Sequence, residues 1–498
     1  MNSIRQRLVS LRHRARDVQN SLRRWSIYVE DSSLEGREAV LARWTPAERE
    51  EFERDVAQMS QRLKPVAVHI ETLGTWYKFV LEAIEARLNQ AQALLDQGRN
   101  HECINVLADI EQRLITPNWD TLAFATRSFA QRVAPTSAHY LTALDAIIRS
   151  LYLPTIKNAH QRGLLVKEAL SRTPLAMVAG FDAEGGVPWR QHVLASAAQG
   201  RFIPISLIAV RQQFLSNPWN LVGTAFDVGL QIYSDMDMAW ETAHKLTQEA
   251  PLNGVSPETT PIWARWHETL FGDVFGVLKL GPAYVSGMIE MLSIDHAGLF
   301  GSPGTDAVPP AYIRWHVMLQ TLHLLSYADE ARERFNHIHV LCGDPNQLAQ
   351  QFGPIWMQLI NEARAVAGLI AFSPLQKLGG ARVIDVVPPL LTNELQTAVK
   401  IKDLLLGGDQ SCTEDAEYQW AESARDTAPY LALAGLRLAF DAAPKLDTAA
   451  SLTTRFWCLM QYLTREASSI REQEDREFAP GQETLKTIAQ HAAPIAVA

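Results

Sequence analysis

The chain has 498 residues, of which 47% are hydrophobic and 20% charged, with a formal net charge of −9. That balance excludes a disordered or collagen-like chain and leaves room for two to four domains. The acidic balance also argues against nucleic acid as the main partner.

The first 24 residues are basic. Arg5, Arg7, Arg12, Arg14, Arg16, Arg23 and Arg24 stand against a single acid, Asp17. A transit peptide shares this bias, as does the solvated face of a helix. Leu8, Leu11, Ala15, Val18 and Leu22 follow helical spacing and favour the helix. No signal-peptide core precedes them, and no apolar run approaches the roughly 20 residues needed to span a bilayer. The cysteines Cys103, Cys342, Cys412 and Cys458 are scattered with no CxxC pair, which fits separate thiols in a reducing, cytoplasmic setting.

Thr45-Pro46-Ala47-Glu48 is a helix start signal, with a capping Thr, Pro at the first helical position and a Glu placed for a capping box. A helix is predicted from about 66 to 97, ending at Gly98, and another from about 101 to 114. The hairpin between them is compatible with a tetratricopeptide unit or with an antiparallel bundle. Further helices are expected near 119–133 and 137–160. Between 166 and 216, glycines break the pattern. Two apolar runs, Leu175 to Phe181 and Phe202 to Val210, suggest a small sheet or hairpin.

Helices are expected again at about 221–249, 261–280, 282–293, 310–335 and 345–369. Pro- and Gly-rich loops cover 250–261 and 295–310, and 372–390 is irregular. Helices near 391–406, 414–424, 428–442 and 448–475 follow, with a loosely held tail from about Glu477. The expected fold is therefore mainly α: an N-terminal helical bundle over 1–165, a central helical domain with a small β element over 166–390, and C-terminal helices over 391–498 packing on the central domain.

The central segment carries the chemistry-bearing pattern. Ala225-Phe226-Asp227-Val228-Gly229-Leu230 is followed by Trp266-His267-Glu268-Thr269-Leu270-Phe271-Gly272-Asp273, then Gly281-Pro282-Ala283-Tyr284, then Ala307-Val308-Pro309-Pro310 with Arg314 beyond. In order and spacing, 219–314 resembles the HtpX-like zinc metallopeptidases. Those enzymes place two His one helical turn apart around a Glu base, draw a third ligand from a Glu before an Ala-Asp pair, and carry a later His-Pro-Pro loop followed by Arg.

The resemblance implies that Phe226 and Leu230 stand for the two His, Asp227 for the base, Thr269 for the third ligand and Val308 for the loop His. Phenylalanine and leucine offer no lone pair to zinc. The resemblance thus implies a degenerate site with no catalytic residue, no metal and no cofactor. Without that ancestry, Phe226 and Leu230 simply face a helical core at i and i+4.

An alternative polar site could be drawn from His267, Glu268, Asp273 and His296, with Asp227. Adjacent helical residues such as His267 and Glu268 point about 100° apart, so they rarely share one metal. His316 and His323, seven apart, read as packing or surface histidines, with His337 and His339 following. Trp219, Trp240, Trp263 and Trp266 read as core aromatics or as the lining of a partner groove. No P-loop or nucleophile elbow is found.

Three functions remain open from the residues. The first is a non-catalytic pseudopeptidase that binds a protein or peptide. The second is a zinc peptidase with unorthodox ligands. The third is a structural helical subunit of a larger assembly, such as an oligomer.

Overall fold

The computed structural model describes residues 2–27, 50, 63, 66–116, 128–134, 137–164, 173–179, 206–293, 299–303, 306, 308–343, 350–351, 353–407 and 419–466. The fold is mainly α. The capping signal at Thr45–Glu48, Cys412, the loop ends at 294–298 and the tail beyond 466 lie outside the described residues. Contacts divide the chain into two units, one from Met1–Thr142 with Leu175–Ala209, the other from Ala143–Pro174 with Val210–Glu474.

In the first unit, α1 (Asn2–Ile27) and α2 (Ala67–Asp96) pack along apolar stripes. Leu8, Leu11 and Ala15 meet a heptad-like series on α2 that includes Ile70, Leu73, Tyr77, Ile84, Leu88 and Leu95. The Tyr77 hydroxyl donates to the Ala15 carbonyl at 2.9 Å. Gly98, at φ +75°, ends α2 with a six-to-one backbone bond from Arg99 to Leu94. The chain turns into α3 (Asn100–Asp109), which runs on as a π-helical turn over Ile110–Ile115.

The basic face of α1 is partnered within this unit. Arg7 and Arg14 both reach Glu111 at 2.8 Å, and Arg12 and Arg16 reach Glu85 at 3.2 and 2.9 Å. These pairs are part-exposed, so each adds little stability, but together they fix which face of α1 meets α2.

α4 (Ala138–Gln161) follows, then β1 (Leu175–Ala179) and β2 (Leu207–Arg211). The two strands form a parallel two-stranded sheet, not a hairpin. A parallel pair needs a long crossover, and 27 residues separate the two strands (207 − 179 − 1 = 27). Leu175, Met177 and Leu207 join the core of the bundle. The buried Arg132 donates to the Ala176 carbonyl at 2.9 Å and so closes the end of β1. The β element therefore groups with the N-terminal helices and not with 210–390, where the sequence had suggested it.

The second unit holds α4 from Ala143 onward, α5 (Thr224–Asp235), α6 (Ala239–Glu249), α7 (Thr260–Arg265), α8 (His267–Leu280), α9 (Pro282–Leu292), α10 (Ala311–Leu324), α11 (Ala328–Cys342), α12 (Pro354–Phe372), α13 (Thr392–Leu406), α14 (Pro429–Ala442) and α15 (Leu446–Glu466). Every residue of α8 from Leu270 to Leu280 is buried. A helix enclosed on all sides belongs at the centre of a large core, and α8 packs on α5, α6, α9, α10, α12 and α14. The C-terminal helices thus belong to the same unit as α8.

Two helices expected to be continuous are broken. Asp237 (φ +51°) separates α5 from α6, and Ser326 (φ +71°) separates α10 from α11. Both close Schellman-type stops, with Met238 bonded to Tyr233 and Tyr327 to Leu322. Glycine normally signals such a stop; here a polar residue takes the left-handed position and the sequence gives no warning.

Buried carboxylates hold the loops. Glu362 of α12 accepts from the Ser256 amide (2.8 Å), the Thr259 hydroxyl (2.6 Å) and the Trp263 indole (2.8 Å). Glu241 of α6 accepts from the Lys377 amide at 2.8 Å and from that of Gln376. Cys103 and Cys342 are free thiols, but Cys458 on α15 is disulfide-bonded. No described helix is long and apolar enough to cross a membrane.

Lys279, near the end of α8, is 2% exposed. Its ammonium reaches the Pro388 carbonyl at 3.4 Å and lies 4.9 Å from the centre of the Tyr430 ring. Burial pulls its pKa down to about 8, against the opposing pull of Glu394. Between about pH 8 and the unfolded value near 10.4, the folded state binds fewer protons, so stability from this group rises with pH across that window. At neutral pH the buried charge is a cost, and Lys279→Met is expected to stabilise by about 1–3 kcal/mol. Urea unfolding of both proteins at pH 7 and pH 10 checks this: the variant's advantage should shrink at high pH, and a variant less stable at pH 7 would contradict it.

Candidate functional site

The resemblance motif falls on three elements of the second unit: α5, α8 and the start of α10. α5 and α8 cross at glycines. A methyl group placed on Gly272 would lie 2.8 Å from the Phe226 ring and 3.1 Å from Leu230. One on Gly229 would lie 2.7 Å from Phe275. Phe226 and Leu230, one turn apart, therefore press onto the same spot of α8. Thr269 stands one turn before Gly272 on α8 and is half-buried.

Asp273 is fully buried. Arg314, from the first turn of α10, grips it with two bonds, Nε to Oδ2 and Nη2 to Oδ1, each 2.8 Å. The Tyr284 hydroxyl of α9 donates to Oδ1 at 3.1 Å. Such a bidentate, hydrogen-bonded pair is the arrangement in which a buried charge is tolerated.

The Arg314 guanidinium also lies 4.8 Å from the centre of the Phe226 ring, a cation–π contact. Burial opposes the Arg314 charge, yet Asp273 beside it holds its pKa above the usual value. Burial, then the Asp273 charge, raises the Tyr284 pKa well above normal, so the phenol stays a donor. The half-buried Asp227 carboxylate adds its field to both groups.

The remaining candidate residues are dispersed. The Tyr233 hydroxyl and His267 Nδ1 are 2.5 Å apart, and burial lowers the His267 pKa against the pull of Glu268. Glu268 is exposed, and Val308 is half-exposed at 50%. Val308 therefore faces solvent, away from the α5–α8 crossing, while Pro309 and Pro310 behind it are buried and lead into α10. His296 lies outside the described residues.

The polar set His267, Glu268 and Asp273 is not gathered into one site. Asp273 is committed to Arg314 and Tyr284, His267 faces Tyr233, and Glu268 is exposed. Among the described residues no group of three His, Cys, Asp or Glu side chains is arranged to hold a metal. The donor set at the α5–α8 crossing does not fit zinc. Phe226 and Leu230 supply no lone pair, and the Asp273 carboxylate is engaged by Arg314 and Tyr284.

His316 is buried against Tyr312, with its pKa pushed down to about 4 by burial, whereas His323 is exposed. Trp263 and Trp266 pack edge to face in the core, and Trp219 stacks on Phe440. Trp240 is instead 72% exposed. Reasoning from sequence missed Tyr284 as the second partner of Asp273 and missed the Phe226–Arg314 stack. The Gly281-Pro282 turn was the available signal for the first, since it carries Tyr284 back across α8.

Comparison of the chain with protein-family models, curated proteins and solved structures gives no match.

Breaking one side of the ion pair leaves a buried, unpaired charge. Arg314→Met or Asp273→Leu alone should each cost about 3–5 kcal/mol, whereas the double variant should cost less than the sum because neither charge remains. Urea unfolding of the four proteins measures the coupling; additive losses would contradict the account.

Proposed function

We propose that this protein is a non-catalytic, pseudopeptidase-type protein that binds a protein or peptide partner as a scaffold component. The observation that carries this reading is the filled α5–α8 crossing. The side chains at the two positions matched to histidine ligands are apolar and packed onto Gly272, and the position matched to the third ligand lies on the same face of α8. Apolar filling of a vacated polar site is a stable solution. The peptidase ancestry rests on the order of the motif segments and on the retained Gly229, Asp273, Pro309, Pro310 and Arg314, of which Asp273 and Arg314 pair.

With the crossing closed, the partner surface lies elsewhere. α11 supports this: Phe335, Val340 and Leu341 are exposed, Val340 at 83%, and His339 stacks beside Phe335. These are separate exposed apolar side chains spread around one helix, each able to anchor a protein contact. The same feature supports self-association, the reading in which the chain is a subunit of an assembly. The zinc-peptidase alternative has no supporting geometry among the described residues.

Elemental analysis of the purified full chain, expressed with added zinc, tests the reading. Zinc at background is expected, and about one tightly held zinc per chain would overturn it.

A further inference from the structure

The described surface of the second unit carries a cavity of about 460 Å³ beside α12, lined among others by Leu324, Asn361, Arg364, Gly368, Leu369 and Phe372. That volume is in the range of small-molecule sites. Its walls divide chemically. Leu324, Leu369 and Phe372 are apolar, while Asn361 and Arg364 sit one turn apart along α12 and bring an amide and a guanidinium to the same opening. No acidic side chain lines the cavity. Arg364 and Asn361 have no hydrogen-bond or ion-pair partner among the described residues, whereas Arg314, Arg334 and Arg437 of the same unit are all engaged.

Gly368 is the second observation. Mid-helix glycine costs about 1 kcal/mol relative to alanine, so it needs a reason. Gly229, Gly272, Gly276, Gly287 and Gly435 have one, because an added methyl would meet a neighbour at under 3 Å. Gly368 has none in the packing: nothing lies within 4 Å of where its Cβ would be. The missing side chain opens the cavity floor one turn from Arg364.

We propose that this cavity binds a small organic carboxylate with an apolar body. The carboxylate pairs with Arg364 and accepts from the Asn361 amide, and the apolar portion lies over Gly368 against Leu369, Phe372 and Leu324. The site is independent of the α5–α8 crossing and of the pseudopeptidase reading.

Isothermal titration of the full chain with octanoate tests it, with methyl octanoate as the uncharged control. Octanoate should bind with a Kd of roughly 0.1–1 mM, and the ester at least tenfold more weakly. Arg364→Gln should weaken octanoate about tenfold while leaving thermal unfolding unchanged, since the residue is exposed and unpaired. Gly368→Leu should abolish binding and leave the protein as stable or more so, which separates a blocked cavity from a misfolded one. Absence of octanoate binding up to about 10 mM, equal binding of the ester, or binding unaffected by both substitutions would each overturn the proposal.

Discussion

The second unit depends on one constraint: a charged side chain, Asp273, sits in the middle of a helix that is buried on every side. A carboxylate in that position is tolerated only when its oxygens are fully engaged, and this dictates much of what surrounds it. α10 must begin where Arg314 can reach inward, which the Pro309-Pro310 entry arranges. α9 must fold back sharply enough for Tyr284 to donate, which the Gly281-Pro282 turn arranges with φ +54°. α5 must lie close, and the Phe226 ring then covers the guanidinium.

Much of this architecture was legible in the sequence because it rests on periodicity and on local stop signals. The apolar heptads of α2, the Gly98 stop and the Pro starts of α9, α12 and α14 follow directly from the residues. What was not legible depends on groups distant in sequence, or on unusual residues in familiar roles. Asp237 and Ser326 take the left-handed stop that glycine usually marks. The parallel pairing of β1 with β2 joins strands far apart in sequence, which no local turn signal announces. The disulfide at Cys458 left no trace in spacing, since pairing is a matter of three-dimensional approach.

The candidate site was legible in a particular sense. Phe226 and Leu230, four apart, could be read either as lost metal ligands or as a core face, and both descriptions lead to the same packing on Gly272. Asp273 and Arg314 both stand in the motif segments read from the sequence, and they meet in a bidentate pair. Around His267 and Glu268 helix geometry separates neighbouring residues: His267 faces Tyr233 and Glu268 is exposed. Lys279 and the Arg364 cavity carried no sequence signal, because burial and openness are properties of the assembled helices.

Native-state amide hydrogen exchange on α8 tests the central claim most directly. If the buried Asp273–Arg314–Tyr284 cluster organises the unit, the amides from Leu270 to Leu280 exchange only through global unfolding, with the same free energy as urea unfolding. Exchange of those amides through local opening, while α12 and α14 stay protected, would contradict it.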